Sequence, residues 1–309
     1  MSPASLAVAY LAVANWVTYL GLFGLTGATT ARAVMSSLRP TARTLPTGVW
    51  PQLERRLYRV GVLSTVMLVA AAVARLYAQT YSVFGLDEPV TIELVRIIAL
   101  ESRWGTFWLP QVVVAAGAAV TIGWAAIRPR PGWRATAVMV VLLWVTLPLT
   151  GHAVTLGTYL PWLLQIGHGL AAAAWLGTLA VVLAVAAVAT TEPGADAWVS
   201  AVIDRFSRLA VWAVSIVLVT GGATAWLYIN SLSQLRTTSW GLTLLAKFVL
   251  VAATGAVGAY NWRRVRPQLG NAAGTRTLVR SARLELALGV VLLAITAVLV
   301  HLAMPYELE

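Results

Sequence analysis

The sequence contains no cysteine. That excludes disulfides, thiolate metal sites and cysteine nucleophiles together. Charge is nearly as scarce: 11% of the 309 residues are charged, where a soluble domain carries roughly a quarter. So few charges cannot cover a globular surface. With 59% hydrophobic residues and a mean hydropathy of +0.79, the composition calls for a polytopic membrane protein. Acidic residues are half as common as basic ones, 11 against 22, which leaves a net charge of +11. In a soluble protein that excess would suggest nucleic acid. Here the arginines cluster between apolar segments and no basic face with interleaved aromatics exists, so no nucleic-acid partner is expected. A charged n-region and a small-residue cleavage site are also missing near the start, so the first apolar segment reads as a retained helix.

What is present is apolar length. A bilayer span needs about 20 mainly apolar residues. Eight segments qualify, at residues 5–34, 57–84, 105–127, 135–157, 160–190, 204–229, 239–262 and 278–304. Nothing alternates with period two, so the segments are helices. The expected fold is an all-α polytopic membrane protein, a bundle of eight transmembrane helices forming a single domain over residues 1–309. Arginine placement orients it. The first connection holds Arg32, Arg39, Arg43, Arg55, Arg56 and Arg59, the third Arg128, Arg130 and Arg134, and the seventh Arg263, Arg264, Arg266, Arg276, Arg280 and Arg283. These face the cytoplasm. The second connection carries Asp87, Glu88, Glu93 and Glu101 and the tail ends in Glu307 and Glu309, so both termini are expected outside. Residues 86–103 read either as an amphipathic interfacial helix or as an ordered external loop. Tryptophans near segment ends, among them Trp16, Trp104, Trp162, Trp226 and Trp240, are expected to anchor at the interfaces.

The chemistry-bearing residues are few. Two of the three histidines lie in the stretch Leu147–Gly177, where a short turn joins the fourth and fifth segments. At 1.5 Å per residue, His152 lies roughly 8 Å and His168 roughly 12 Å below the outer end. His301 sits about one turn below the outer end of the eighth segment. The expectation is that His152 and His168 meet across a packed hairpin and grip a metal ion. Neutral imidazole suits copper, zinc, nickel and iron, and Met304, three residues after His301, would add a soft donor. Trp175, one heptad after His168, forms a wall beneath it. For any single intramembrane histidine the plain alternative is a helix-to-helix hydrogen bond.

Lys247 lies about 12 Å inside the outer end of its helix and Glu285 about 10 Å inside the inner end of the last. They are expected either to pair directly or to tune the pathway separately, with Arg283 as an alternative partner for Glu285. Asn15 and Asn261 read as interhelical hydrogen-bond donors. The glycines of residues 21–27 read as helix packing, because no lysine follows and no strand precedes them as a phosphate loop requires. Met35, Met67 and Met139 map to the inner half, so no methionine ladder crosses the membrane. Two further functional classes stay open on these residues: a b-type haem or quinone redox protein with axial histidines, and a purely structural bundle. Covalent catalysis is not expected, and the chain is not read as an enzyme.

Several stretches together resemble the CopD/PcoD copper resistance family of bacterial inner-membrane proteins, over about residues 100–305. They are Arg103-Trp-Gly-Thr-Phe-Trp-Leu-Pro-Gln111, Gly151-His152-Ala153 and His168-Gly-Leu-Ala-Ala-Ala-Ala-Trp175-Leu-Gly177, the last with Thr178 where the family has a second glycine. Arg205-Phe-Ser207, Trp240-Gly-Leu-Thr-Leu-Leu-Ala-Lys247, Arg283-Leu-Glu285-Leu-Ala-Leu-Gly289 and Pro305 follow in order. The resemblance implies a multi-pass protein of the bacterial plasma membrane that takes part in copper uptake or tolerance. It also implies copper as cargo and an extracytoplasmic CopC-type copper-binding protein as partner.

Overall fold

The computed structural model describes residues 3–38, 49–85, 88–151, 158–189, 196–265 and 272–303. Every regular element among them is helical. Eight helices are long and apolar enough to cross a membrane, from Ser5–Ser37 to Val279–Leu299. The expectation of an all-α bundle of eight spans is met.

In chain order the elements are α1 (Pro3–Ser37), α2 (Val49–Val83), α3 (Ile92–Leu100), α4 (Arg103–Ile127) and α5 (Pro129–Thr146), which runs into a 3₁₀ turn, Leu147–Thr150. Next come α6 (Leu160–Ala172), a π-helical turn (Ala173–Gly177) and α7 (Thr178–Ala189), which together make the fifth span. Then follow α8 (Asp196–Tyr228), the short α9 (Gln234–Thr237), α10 (Ser239–Tyr260), a second π-helical turn (Asn261–Val265) and α11 (Ala272–Leu299). Residues 92–100 form a helix within the second connection: Thr91 caps α3 by accepting from the Leu94 amide at 3.4 Å, and Ile98 and Ala99 are buried against the bundle. Helix α2 starts eight residues earlier than its apolar segment, so Arg55, Arg56 and Arg59 ride on helical turns and not in a loop.

The helices pair where small residues let backbones meet. Helices α1 and α2 form the most extensive pair. A Cβ at Gly21 would lie 2.9 Å from Leu68 Cγ, and one at Gly24 would overlap the Ser64 hydroxyl. A Cβ at Gly27 would collide with the backbone of Gly177, and one at Gly177 with the carbonyl of Phe23. The glycines of residues 21–27 therefore act in helix packing, and they seat α1 directly on the π-turn of the fifth span.

Helix α5 packs on α4, whereas α6 packs chiefly on α8 and touches α5 little. The tight α5–α6 hairpin assumed from the sequence is thus not how the bundle is built. Thr220 and Gly221 give α8 a small face, and Gly167 and His168 of α6 lie on it. On the α5 side, Gly169 of α6 is spaced by the Trp144 ring, which a Cβ at that position would overlap.

Side-chain packing is dense at the end of the bundle where α1 finishes and α2 begins. Met35, Leu53, Leu57, Ile122, Trp133 and Trp198 sit in one buried cluster there. Arg32 lies across it, 3.4 Å from Glu54 and 5.6 Å from the Trp133 ring. A second cluster fills the middle, around Leu22, Leu25, Trp144, Trp175 and Leu293. The opposite end holds a smaller buried cluster, around Tyr228, Trp240 and Leu299, beside open space.

Candidate functional site

At that opposite end the spans enclose a cavity of about 490 Å³. Helices α1, α2, α4, α5, α6, α8, α10 and α11 all contribute lining residues, so it is the meeting point of nearly the whole bundle. Its polar lining includes Asn15, Arg75, Gln79, His168, Lys247 and His301. Trp104, Trp144, Trp175 and Trp240 line it as well. Trp240 is only 4% exposed, so it faces this interior and not the lipid interface expected for it, whereas Trp226, at 79%, fits the anchoring role.

His168 is held from α8. Its Nδ1 lies 3.2 Å from Thr220 Oγ1, and a Cβ at Gly221 would lie 3.0 Å from its Cε1, so the ring is pressed on that glycine. Thr220 donates its own hydroxyl hydrogen to the Ile216 carbonyl at 2.6 Å. Its oxygen is therefore the acceptor toward the imidazole. The proton belongs on Nδ1, and Nε2 keeps the lone pair: the tautomer that a metal ion or a hydrogen-bond donor requires.

His301, in the turn after α11, meets α1: Asn15 Nδ2 lies 2.7 Å from His301 Nε2. The amide is the donor, so this nitrogen's lone pair is engaged, and Asn15 is the interhelical donor read from the sequence. His152 and Met304 lie outside the described residues. Among the described residues, no group of three or more His, Cys, Asp or Glu side chains is gathered in a way that could hold a metal ion. The cavity brings two imidazoles together with amides, hydroxyls, Arg75 and Lys247, and with no carboxylate among its described lining.

Trp175 forms part of the inner lining, as expected of a wall beneath His168, and it does more. Its indole Nε1 donates to Glu285 Oε1 at 3.2 Å, and Asn261 Nδ2 donates to Glu285 Oε2 at 3.2 Å. Glu285 is 3% exposed and is not part of the cavity lining. Neither Lys247 nor Arg283 forms an ion pair with it among the described residues, so the paired reading is corrected. The reason is depth: Lys247 faces the cavity, while Glu285 lies beyond Trp175, where Gly258 of α10 gives its carboxyl group room. Both π-turns serve this arrangement, one carrying Trp175 and the other beginning with Asn261. Wide turns of this kind recur at functional sites.

Arg75 is the residue that the sequence reading passed over. It is 7% exposed in the second span. Its guanidinium donates to Gln111 Oε1 at 2.7 Å and to Thr150 Oγ1 at 2.7 Å, and it lies 5.8 Å from the Trp104 ring. Gln111 in turn donates to the Thr146 carbonyl at 3.0 Å. The 3₁₀ turn after α5 places Thr150 for this contact. No carboxylate neutralises Arg75 among the described residues. An arginine at membrane depth costs roughly 2.5–3.5 kcal/mol even on insertion scales and tends to mark a pathway. The available signal was a lone arginine inside an otherwise uncharged apolar run, Ser64–Ser82.

Comparison with known proteins places this geometry. The family model described as "Copper resistance protein D-like, N-terminal domain" matches residues 5–162, just over half of the chain, and "Copper resistance protein D" matches residues 200–299. The chain belongs to the copper resistance protein D family. The matched residues of this CopD chain reach back to the start of α1, beyond the stretch from residue 100 on which the resemblance was first drawn. A curated relative, "Copper transport protein CutJ" of Bacillus subtilis (strain 168), is 26% identical over 269 residues, which are 83% of this chain and 48% of the relative. The chain therefore spans about half the length of that relative. No solved structure matches the chain.

Proposed function

We propose that this CopD protein moves copper across the bacterial plasma membrane, and that the ion enters through the cavity with His168 as its first protein ligand. The observation that carries this reading is the imidazole of His168, lining the shared cavity with its Nδ1 proton directed to Thr220 and Nε2 left with its lone pair. Family membership and the name of the Bacillus subtilis relative supply the metal. Transport, not catalysis, is the consistent role.

With the arginine-rich connections on the cytoplasmic side, both termini and the cavity mouth are extracytoplasmic. A CopC-type copper-binding protein would then deliver copper at that face. His301 joins as a ligand when its Nε2 is exchanged from Asn15 to the ion. His152 and Met304, outside the described residues, are the further donors read from the sequence. Below, an ion leaving the cavity meets Trp175 and then Glu285, the acidic side chain buried farther along. A single domain comprising residues 1–309 carries the whole path.

The test is copper uptake into proteoliposomes holding the purified protein. His168→Ala lowers uptake at least tenfold while the protein stays monodisperse; unchanged uptake in the His168→Ala/His301→Ala double variant overturns the assignment. The same two imidazoles would also suit haem iron. An absorption spectrum of protein from haem-supplied cells separates the readings, because a Soret band lost in His168→Ala supports the haem protein instead.

A further inference from the structure

The cavity that receives the copper carries two cations and, among its described lining, no acidic side chain. Arg75 stays charged in any protein environment. All its described partners are neutral: Gln111, Thr150 and the Trp104 ring. Lys247 is the single lysine in a chain with 22 basic residues, and it too lines the cavity. No described residue pairs with it. The chain thus places its one lysine ammonium group on the wall of a cavity that Trp104, Trp144, Trp175 and Trp240 also line.

A bare copper ion entering this space meets like charge from both groups in a medium of low dielectric, where such repulsion is strong. The imidazoles are neutral and offset none of it. An anion has the opposite experience: a planar guanidinium and a three-donor ammonium both present N–H groups to it. Buried cations with no acidic partner among the described residues call for a counter-charge.

Resting on the copper reading above, we infer that the cavity is an anion site, and that copper enters it as a complex carrying its own anionic ligands, held by Arg75 and Lys247 while His168 approaches the metal. The ligand class is a small coordinating anion, halide or carboxylate. The aromatic walls leave space for either.

Proteoliposome uptake is measured at one copper concentration in three media: chloride, citrate, and methanesulfonate as a non-coordinating anion. Uptake is expected to be at least fivefold lower in methanesulfonate, and the larger of the chloride and citrate rates names the source of the anion. Lys247→Met and Arg75→Gln should each flatten that dependence. Equal uptake in all three media by the unaltered protein overturns the inference and leaves copper transport standing. If no medium supports uptake, the transport reading has failed, and the anion site is read without copper: bromide quenching of tryptophan fluorescence, with Trp104 beside Arg75 as the reporter. Saturable quenching that Trp104→Phe and Lys247→Met diminish sustains the site. Linear quenching equal in all three proteins overturns it. Lys247→Met guards against Arg75→Gln failing to fold.

Discussion

The two ends of the bundle are made differently. At one end Met35, Leu53, Leu57, Trp133 and Trp198 close on each other, and the arginine there, Arg32, has a carboxylate partner in Glu54. At the other, side chains of comparable size stand around open space, and the arginine, Arg75, is held by an amide and a hydroxyl. The contrast shows where the bundle keeps its shape and where it leaves room for a passenger. Close glycine contacts between α1 and the fifth span fix the helices relative to one another, so the far end can stay unfilled without collapsing. The same chemistry that counts as a defect in the packed end, a charge with no carboxylate partner among the described residues, is the distinguishing property of the open one.

Substitutions can break this contrast from either side. The largest effect is expected from Gly27→Leu, whose side chain has no space against the Gly177 backbone: no monodisperse protein should survive extraction, as size-exclusion chromatography would show. Leu53→Ala opens a hole in the packed end and should cost about 2–5 kcal/mol in a detergent melt, with copper uptake per folded molecule unchanged. Gln111→Ala removes a bond from a buried guanidinium and should cost about 1–3 kcal/mol, this time with altered uptake. Thr220→Val should move the melt by about 1 kcal/mol or less. It removes the acceptor that fixes the His168 tautomer, and changes of that kind lower metal affinity roughly 10–100-fold. A Thr220→Val protein with full copper affinity would show that the two ends differ in packing alone.

Much of this was legible in the chain before its coordinates. Apolar length gave eight spans because a bilayer admits few alternatives, and Asn15 and Asn261 were readable as donors because an amide at depth must find a partner. The pairing of His168 was not legible. Sequence adjacency favours α5 as the neighbour of α6, but the small face of α8 at Thr220 and Gly221 decides the packing, and nothing local announces which of two small faces wins. Lys247 and Glu285 were legible as individuals, and depth counted along each helix already set them apart; it could not show that the π-turns bring Trp175 and Asn261 to Glu285 in place of a cation. Arg75 was readable in principle. It was overlooked because a single charge barely lowers the apolar average of its segment.

The π-turn at Ala173–Gly177 makes residue count, as much as residue type, a determinant of this protein. Such a turn absorbs one extra residue, so removing one alanine there would restore ordinary α-helical winding while the helix beyond it kept roughly its present facing. What would be lost is the wide spacing inside the turn, which sets Trp175 on Glu285 and Gly177 against α1. An aligned relative whose fifth span is one residue shorter would therefore share the letters of this motif without its geometry.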